Sequence, residues 1–277
     1  MFTDNIMKLF QKQNMMRTVI ISLIPLIFSS IYFFGWRSLI LMIVVTIFGV
    51  ATEYVFEKKN NKKVSEAVFV TCILYTMTLP PTTPYWIAVL GIIFGVMFGK
   101  MVFGGFGRNV FNPALVARAF VYVSFPAPLT IVWSKAMNGF PGGFATYITE
   151  GIEAVSQATP MLLFRDSGQM VSKLDLLLGN VSGSIGETSA ILIILAGIYL
   201  IYKKVASWQT MAGCFIGFVG LSTILHYIGM PEVPHPLYGV LTGGFLFGTI
   251  FMATDPISSP KTVEGRWVYG IIIGIVT

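Results

Sequence analysis

The chain alternates long apolar runs with short polar joints. Apolar runs cover about 18–35, 38–56, 65–80, 85–103, 110–128, 189–204, 208–229 and 236–254, and a last one opens at Trp267. Most approach the ~20 residues that an α-helix needs to cross a ~30 Å hydrocarbon core. The pattern predicts an all-α polytopic membrane protein with about nine or ten spans in the complete protein. Two runs end in the same broken phrase, T-x-P-x-[ST]-[ST]-P: Thr78-Leu79-Pro80-Pro81-Thr82-Thr83-Pro84 and Thr254-Asp255-Pro256-Ile257-Ser258-Ser259-Pro260. The echo continues in Gly91-Ile92-Ile93-Phe94-Gly95 and Gly270-Ile271-Ile272-Ile273-Gly274. Paired apolar segments interrupted at corresponding places in two halves point to a transporter-like core with broken or half helices around a central binding region.

Composition agrees: 55% of residues are hydrophobic, 11% are charged, and the formal charge is +6. Lys and Arg near helix ends are held on the cytoplasmic side. With the N-terminus inside, thirteen of them fall inside, among them Lys8, Lys12, Lys58, Lys59, Lys100 and Lys203, against Arg37, Lys135, Arg165 and Lys173 outside. The positive charge is therefore read as topology and calls for no nucleic-acid partner. The first repeat's span then runs outward and its partner inward, which makes the repeat inverted. Such an inverted repeat of broken helices is similar to urea-transporter-like cores.

The chain divides on this basis into a cytoplasmic N-terminus (1–17), a first transmembrane repeat (18–128), an extracytoplasmic loop (129–188) and a second repeat (189–277). The first span is expected to be retained, since it lacks a small-residue cleavage site and another span follows at once. The eleven residues from Trp267 to Thr277 reach only ~16 Å as helix. The chain is therefore expected to continue in nature, the alternative being a half-inserted last helix. Cys72 and Cys214 lie in apolar segments and give neither a disulfide framework nor a metal spacing. Glu53 and Glu66 read as interface charges beside a lysine run, and no site is assigned to His226 or His235.

Four places carry candidate chemistry. In the loop, Ser156-Gln157-Ala158-Thr159-Pro160 looks by residue type like a helix start, with Ser156 or Thr159 as cap and Pro160 in the first helical position. Asn112 before Pro113 is a second such start; a helix N-terminus at membrane depth offers free N–H groups to an anion or a flavin carbonyl, or it simply begins a helix. Arg118 falls within a span, where facing lipid costs about 2.5–3.5 kcal/mol, so it is expected to face the protein interior or a bound anionic group. Asp255, beside Thr254, Ser258 and Ser259, offers oxygen ligands for Na+ or, equally, caps a helix or pairs with Lys261 or Arg266.

Several of these segments together resemble a known family. They are Gly104-Gly105-Phe106-Gly107-Arg108-Asn109, the continuation Asn112-Pro113-Ala114-Leu115, the loop at Thr159, Leu176-Leu177-Leu178-Gly179-Asn180 and Ala253-Thr254-Asp255-Pro256. The resemblance is to the RnfD component of the Rnf complex, an ion-translocating ferredoxin:NAD oxidoreductase, and to its relative, the B subunit of the Na+-translocating NADH:quinone reductase. It covers nearly the whole chain in order. The quinone-reductase relative carries a longer N-terminal extension, which makes the Rnf member the nearer match.

The resemblance implies FMN joined through its phosphate to a threonine hydroxyl by a flavin transferase, at a pattern like Asp-x-x-[Ser/Thr]-Gly-Ala-Thr. The acceptor maps to Thr159, with Ser156, Gln157 and Ala158 in the recognition stretch; Glu153 stands in place of Asp and Gln157 in place of Gly. It further implies a bacterial or archaeal cytoplasmic membrane location, partner subunits with a second flavin and iron-sulfur centres, and room for a second, noncovalent flavin such as riboflavin. The expected function is a membrane electron-transfer subunit that couples electron flow to Na+ or H+ transport, without catalysing turnover alone. A small-solute channel and a structural scaffold are the competing readings, and neither has use for a covalent flavin. Phe125, Trp133, Phe140, Phe144, Tyr147 and Phe164 are candidates for stacking on the flavin, although interfacial aromatic belts would look the same.

Overall fold

A computed structural model describes residues 10–137, 139–147, 158–187, 189–242 and 244–277. Glu153, Ser156 and Gln157 lie outside the described residues. The described chain is mostly helical. A two-residue strand β1 (Phe10–Gln11) precedes α1 (Asn14–Phe34) and α2 (Trp36–Lys59) and pairs in parallel with β2 (Val64–Ser65). Then come α3 (Ala67–Met77), α4 (Tyr85–Val96), which runs on through a π-helical turn to Met101, and α5 (Pro113–Ser124). Three short helices follow, α6 (Pro126–Thr130), α7 (Pro160–Ser167) and α8 (Lys173–Leu178), then α9 (Ala190–Tyr202) and α10 (Trp208–Tyr227). Last are α11 (Pro236–Leu241), α12 (Phe245–Phe247) with a π-helical turn to Met252, and α13 (Val263–Val276).

Among the described residues, three helices are long and apolar enough to cross a membrane: α1, α2 and α10. Their exposed faces fit that role; α2 turns Ile40, Ile43, Ile47 and Phe48 outward, a continuous apolar face that suits lipid and not water. The other apolar helices are shorter than the runs that foretold them. The 65–80 run yields only the eleven residues of α3, the 110–128 run stops at Ser124 because Phe125 precedes Pro126, and the 236–254 run breaks between Leu241 and Phe245. The last helix starts at Val263, four residues before Trp267, with the Thr262 hydroxyl accepting from the Gly265 N–H.

The core explains how short helices survive. Every residue of α3 except Phe69 is buried, so its backbone ends meet protein and not lipid. The segment before α9 closes one of those ends: the amides of Ile185 and Gly186 donate to the carbonyls of Leu79 and Met77. Gly186 is required there, since an added Cβ would sit 2.5 Å from the Met77 Cβ. The turn after α3 is tied to α2 by Arg37, whose guanidinium donates to the carbonyls of Pro81 (2.9 Å) and Thr83 (3.1 Å) and lies over the Tyr85 ring.

The segment between α5 and α9 is not structureless. It is pinned by Trp36, whose indole donates to the Phe144 carbonyl, by the Met137 amide on the Phe33 carbonyl, and by the Tyr238 hydroxyl, which receives the Val171 amide and reaches the Pro160 carbonyl.

The structure corrects the expectation for Glu53. It is not an interface charge: it is fully buried, its carboxylate accepting from the Ser65 amide and hydroxyl and pairing with Lys100 at 2.6 Å. Lys100, counted among the cytoplasmic charges, is buried with it. Only Glu66 keeps the expected character, ion-paired to the half-exposed Arg17.

Candidate functional site

Helix α5 begins at one polar cavity and passes a second. At its start, the Asn112 side-chain oxygen accepts from the Ala114 amide at 2.9 Å, and Pro113 takes the first helical position, where its missing N–H costs nothing. Asn112 also lines a cavity of about 50 Å³ with Asn109, Lys100, Thr254 and Asp255. Two distant parts of the chain thus line it, one through the start of α5 and the other through the turn after α12. That turn is held locally: Asp255 accepts from the Ile257 amide at 3.2 Å and from the Ser258 hydroxyl at 2.8 Å, while the Thr254 hydroxyl donates back to the Ile250 carbonyl at 2.6 Å. The geometry is that of a capped turn. The ion pair considered for Asp255 does not form with Arg266, which instead donates to the Pro260 carbonyl. Among the described residues no group of three His, Cys, Asp or Glu side chains is placed to hold a metal ion.

Arg118 stands six residues past Asn112, roughly 9 Å along the axis at 1.5 Å per residue, and it lines the second cavity. This space of about 170 Å³ is bounded by Arg118, Trp133, Thr159, Ser182, Ser184 and Glu187 together with apolar side chains. Thr159 is the cap of α7: its hydroxyl oxygen accepts from the Leu162 amide at 3.4 Å, and Pro160 follows in the first helical position. The helix-start expectation therefore holds in detail. The cap also leaves the hydroxyl at a cavity wall, at the positive end of an eight-residue helix. Ala158 precedes it, half-buried.

Two charged side chains line this cavity, Arg118 and Glu187. The Arg118 Nη1 atom is buried and makes no hydrogen bond; its guanidinium lies 5.8 Å from the centre of the Tyr122 ring and feels the Glu187 charge. The Glu187 carboxylate receives the Ser184 hydroxyl and rests against Gly244, where a Cβ would come within 2.7 Å of it. Facing the protein interior was the expectation for Arg118, and that is where it lies. Glu187 was missed, although Ser182-Gly183-Ser184-Ile185-Gly186-Glu187 just before an apolar run was a visible signal: small and hydroxyl residues leading to one acid.

Of the aromatic candidates, only Trp133 lines the cavity. Phe125 packs against Trp86 and Phe120, Phe144 against Tyr32 and Trp36, and Phe164 on Tyr238, while the Tyr147 hydroxyl meets that of Tyr85 at 2.7 Å and Phe140 points outward. A cavity of this size is below the ~300–1,000 Å³ usual for a whole small-molecule ligand. It suits a phosphate and the first part of a chain attached to Thr159. Within that limit the residues fit the group that the resemblance implies: a hydroxyl at a helix N-terminus, with a guanidinium lining the same cavity.

Apolar long helices and buried half-length helices, with two cavities that carry charged side chains, define a multi-pass membrane protein. A sequence model of the NQR2, RnfD, RnfE family matches residues 6–277, and the chain belongs to that family. It is 40% identical over 256 residues to the B subunit of the Na(+)-translocating NADH-quinone reductase of Klebsiella pneumoniae (strain 342), covering 87% of this chain and 61% of the relative. The B subunits of the same name from Stutzerimonas stutzeri (strain A1501) and Neisseria meningitidis serogroup B are 41% and 36% identical, covering 84% and 90% of this chain and 57% and 60% of those relatives. The chain thus spans about three-fifths of the length of the curated relatives it matches.

Proposed function

We propose that this chain is a membrane electron-transfer subunit of an ion-translocating oxidoreductase, carrying FMN in phosphoester linkage on Thr159 and coupling electron flow to Na+ or H+ movement. The observation that carries the reading is the Thr159 hydroxyl capping α7 at the wall of a cavity that holds Arg118 and Glu187. When bound, FMN would supply one- or two-electron transfer, chemistry that belongs to the cofactor and not to the side chains. The chain's own part is to tether, orient and shield it. Thr159 provides the attachment oxygen at the positive end of α7, Arg118 supplies a cation to the anionic end, and Trp133 walls the apolar side.

The Rnf form, a ferredoxin:NAD oxidoreductase, rests on the sequence resemblance; the relatives at 36–41% identity are NADH-quinone reductase subunits. In either form, the partners would be further membrane and peripheral subunits with a second flavin and iron-sulfur centres, and a flavin transferase would make the attachment. The positive-charge distribution supports a cytoplasmic N-terminus and an extracytoplasmic Thr159.

We also propose that the two halves are inverted repeats of urea-transporter-like kind. Support comes from parallel details: α2 and α10 open on Trp36-Arg37-Ser38 and Trp208-Gln209-Thr210, and each half places a helix, a Thr-containing break and a glycine-bearing helix in the same order. The 50 Å³ cavity at Asn112, Thr254 and Asp255 has room for waters or a bare ion and not for a flavin ring, so it supports an ion-handling role there more than a second flavin.

The test is Thr159→Ala beside Thr159→Ser in the complex, expressed with the transferase and read by ultraviolet fluorescence of the denatured subunit on a gel. The alanine variant is expected to lose the covalent flavin and complex-level electron transfer while still inserting in the membrane. A flavin signal that persists on the alanine variant contradicts the assignment to Thr159, and a wild type without covalent flavin returns the solute-channel reading to the front.

A further inference from the structure

Arg118 has an anomaly that folding alone leaves unexplained. A guanidinium offers five N–H donors in a fixed fork, and burying one without partners costs several kcal/mol. Yet Nη1 of Arg118 is buried and bonded to nothing, and its compensation is a carboxylate at a distance and a neighbouring tyrosine ring. The neighbouring Tyr75 hydroxyl is likewise buried without a partner. Arg118 lines the same cavity as Thr159, which puts a cation beside the space where an anion on Thr159 would lie.

We infer that Arg118 is the counter-cation of the phosphate group esterified to Thr159, and that Glu187 is the charge that balances Arg118 until that ester forms. The inference rests on the flavin-tether reading above. A phosphate carrying two ester bonds keeps one negative charge through the biological pH range, and it needs a partner once it leaves water. Guanidinium matches phosphate oxygens bidentately, which a lysine ammonium does not. With the ester absent, the cavity holds Arg118 and Glu187, one charge of each sign. With it present, Arg118 serves two anions, Glu187 and the ester. Glu187 is held in place by the Ser184 hydroxyl and seated on Gly244, within electrostatic reach of the guanidinium.

The experiment uses the full chain in its complex, purified with and without the flavin transferase, for the wild type, Arg118→Gln and Arg118→Lys. Two quantities are read: covalent flavin per subunit from gel fluorescence, and the apparent melting temperature of the subunit in each state. Flavin attachment is expected to raise the melting temperature of the wild type. The rise should fall by at least about half in Arg118→Gln, where a neutral amide replaces the charge, and should survive in part in Arg118→Lys. A merely structural arginine would lower both states equally and leave the rise intact, and that result overturns the inference while leaving the Thr159 tether standing. A wild type without covalent flavin in the presence of the transferase sinks the tether reading, and this inference with it.

Discussion

Arg37 is the largest side chain wholly removed from solvent, and it shows what one residue does to a broken helix. The turn after α3 cannot satisfy its own carbonyls, and Arg37 donates to those of Pro81, Thr82 and Thr83. Hydrogen bonds from a charged donor contribute ~1.5–3 kcal/mol each, less than additively when they share one group. Arg37→Ala is expected to cost about 3 kcal/mol, seen as a lower melting temperature in detergent, and Arg37→Lys to recover only a minor part, since an ammonium cannot span three carbonyls. Wild-type stability in the alanine variant would contradict the assigned role. At this scale the sequence was partly legible. Thr159 and Asn112 announced themselves because a cap followed by proline is a local signal. Glu53 was misread as an interface charge because its partner Lys100 is distant in the chain, and Arg37, counted only as an outside charge, gave no sign of its partners from Pro81 on for the same reason.

Among the elements, α10 and α13 pack closest, and glycine is the reason. Gly213 and Gly217 on α10 face Gly270 and Gly274 on α13, where an added Cβ on Gly274 would collide with the Cys214 carbonyl oxygen and one on Gly270 with that of Thr210. Small residues at four-residue spacing let helices approach where lipid supplies no hydrophobic drive. Gly274→Leu is expected to push the helices apart and cost about 1–3 kcal/mol or more, while the same change at Gly220, with open space beside it, should be nearly neutral. Equal effects at both positions would argue against close packing as the cause.

A second element-scale test concerns the pair that fastens α2 to the π-helical turn after α4. Removing either Glu53 or Lys100 alone leaves a buried charge and should cost about 3–5 kcal/mol. The double replacement Glu53→Leu with Lys100→Met should cost clearly less than the sum. Strict additivity in melting temperature would show that the pair is not coupled.

The existence of the helices was legible from apolar runs, and their lengths were not. Hydropathy records burial alone, and α3 is apolar all round because protein surrounds it, just as a span is apolar because lipid does. The break at Thr242 and Gly244 was invisible for the same reason.

Across the molecule, α5 organises two polar cavities in an apolar body, with Asn112 at one and Arg118 at the other. Each cavity draws on both halves of the chain: Asn112 lines the first with Asp255, and Arg118 lines the second with Leu241. Helix α5 therefore stands beside both cavities, with its start at the first and its middle at the second.

The central claim is the tether. The protein, purified from a native membrane that contains the transferase, would be digested and the peptide spanning Thr159 weighed by mass spectrometry. The expected result is an added mass of FMN less one water, located on Thr159 by fragmentation. An unmodified peptide, or the same mass on a different residue, would contradict it.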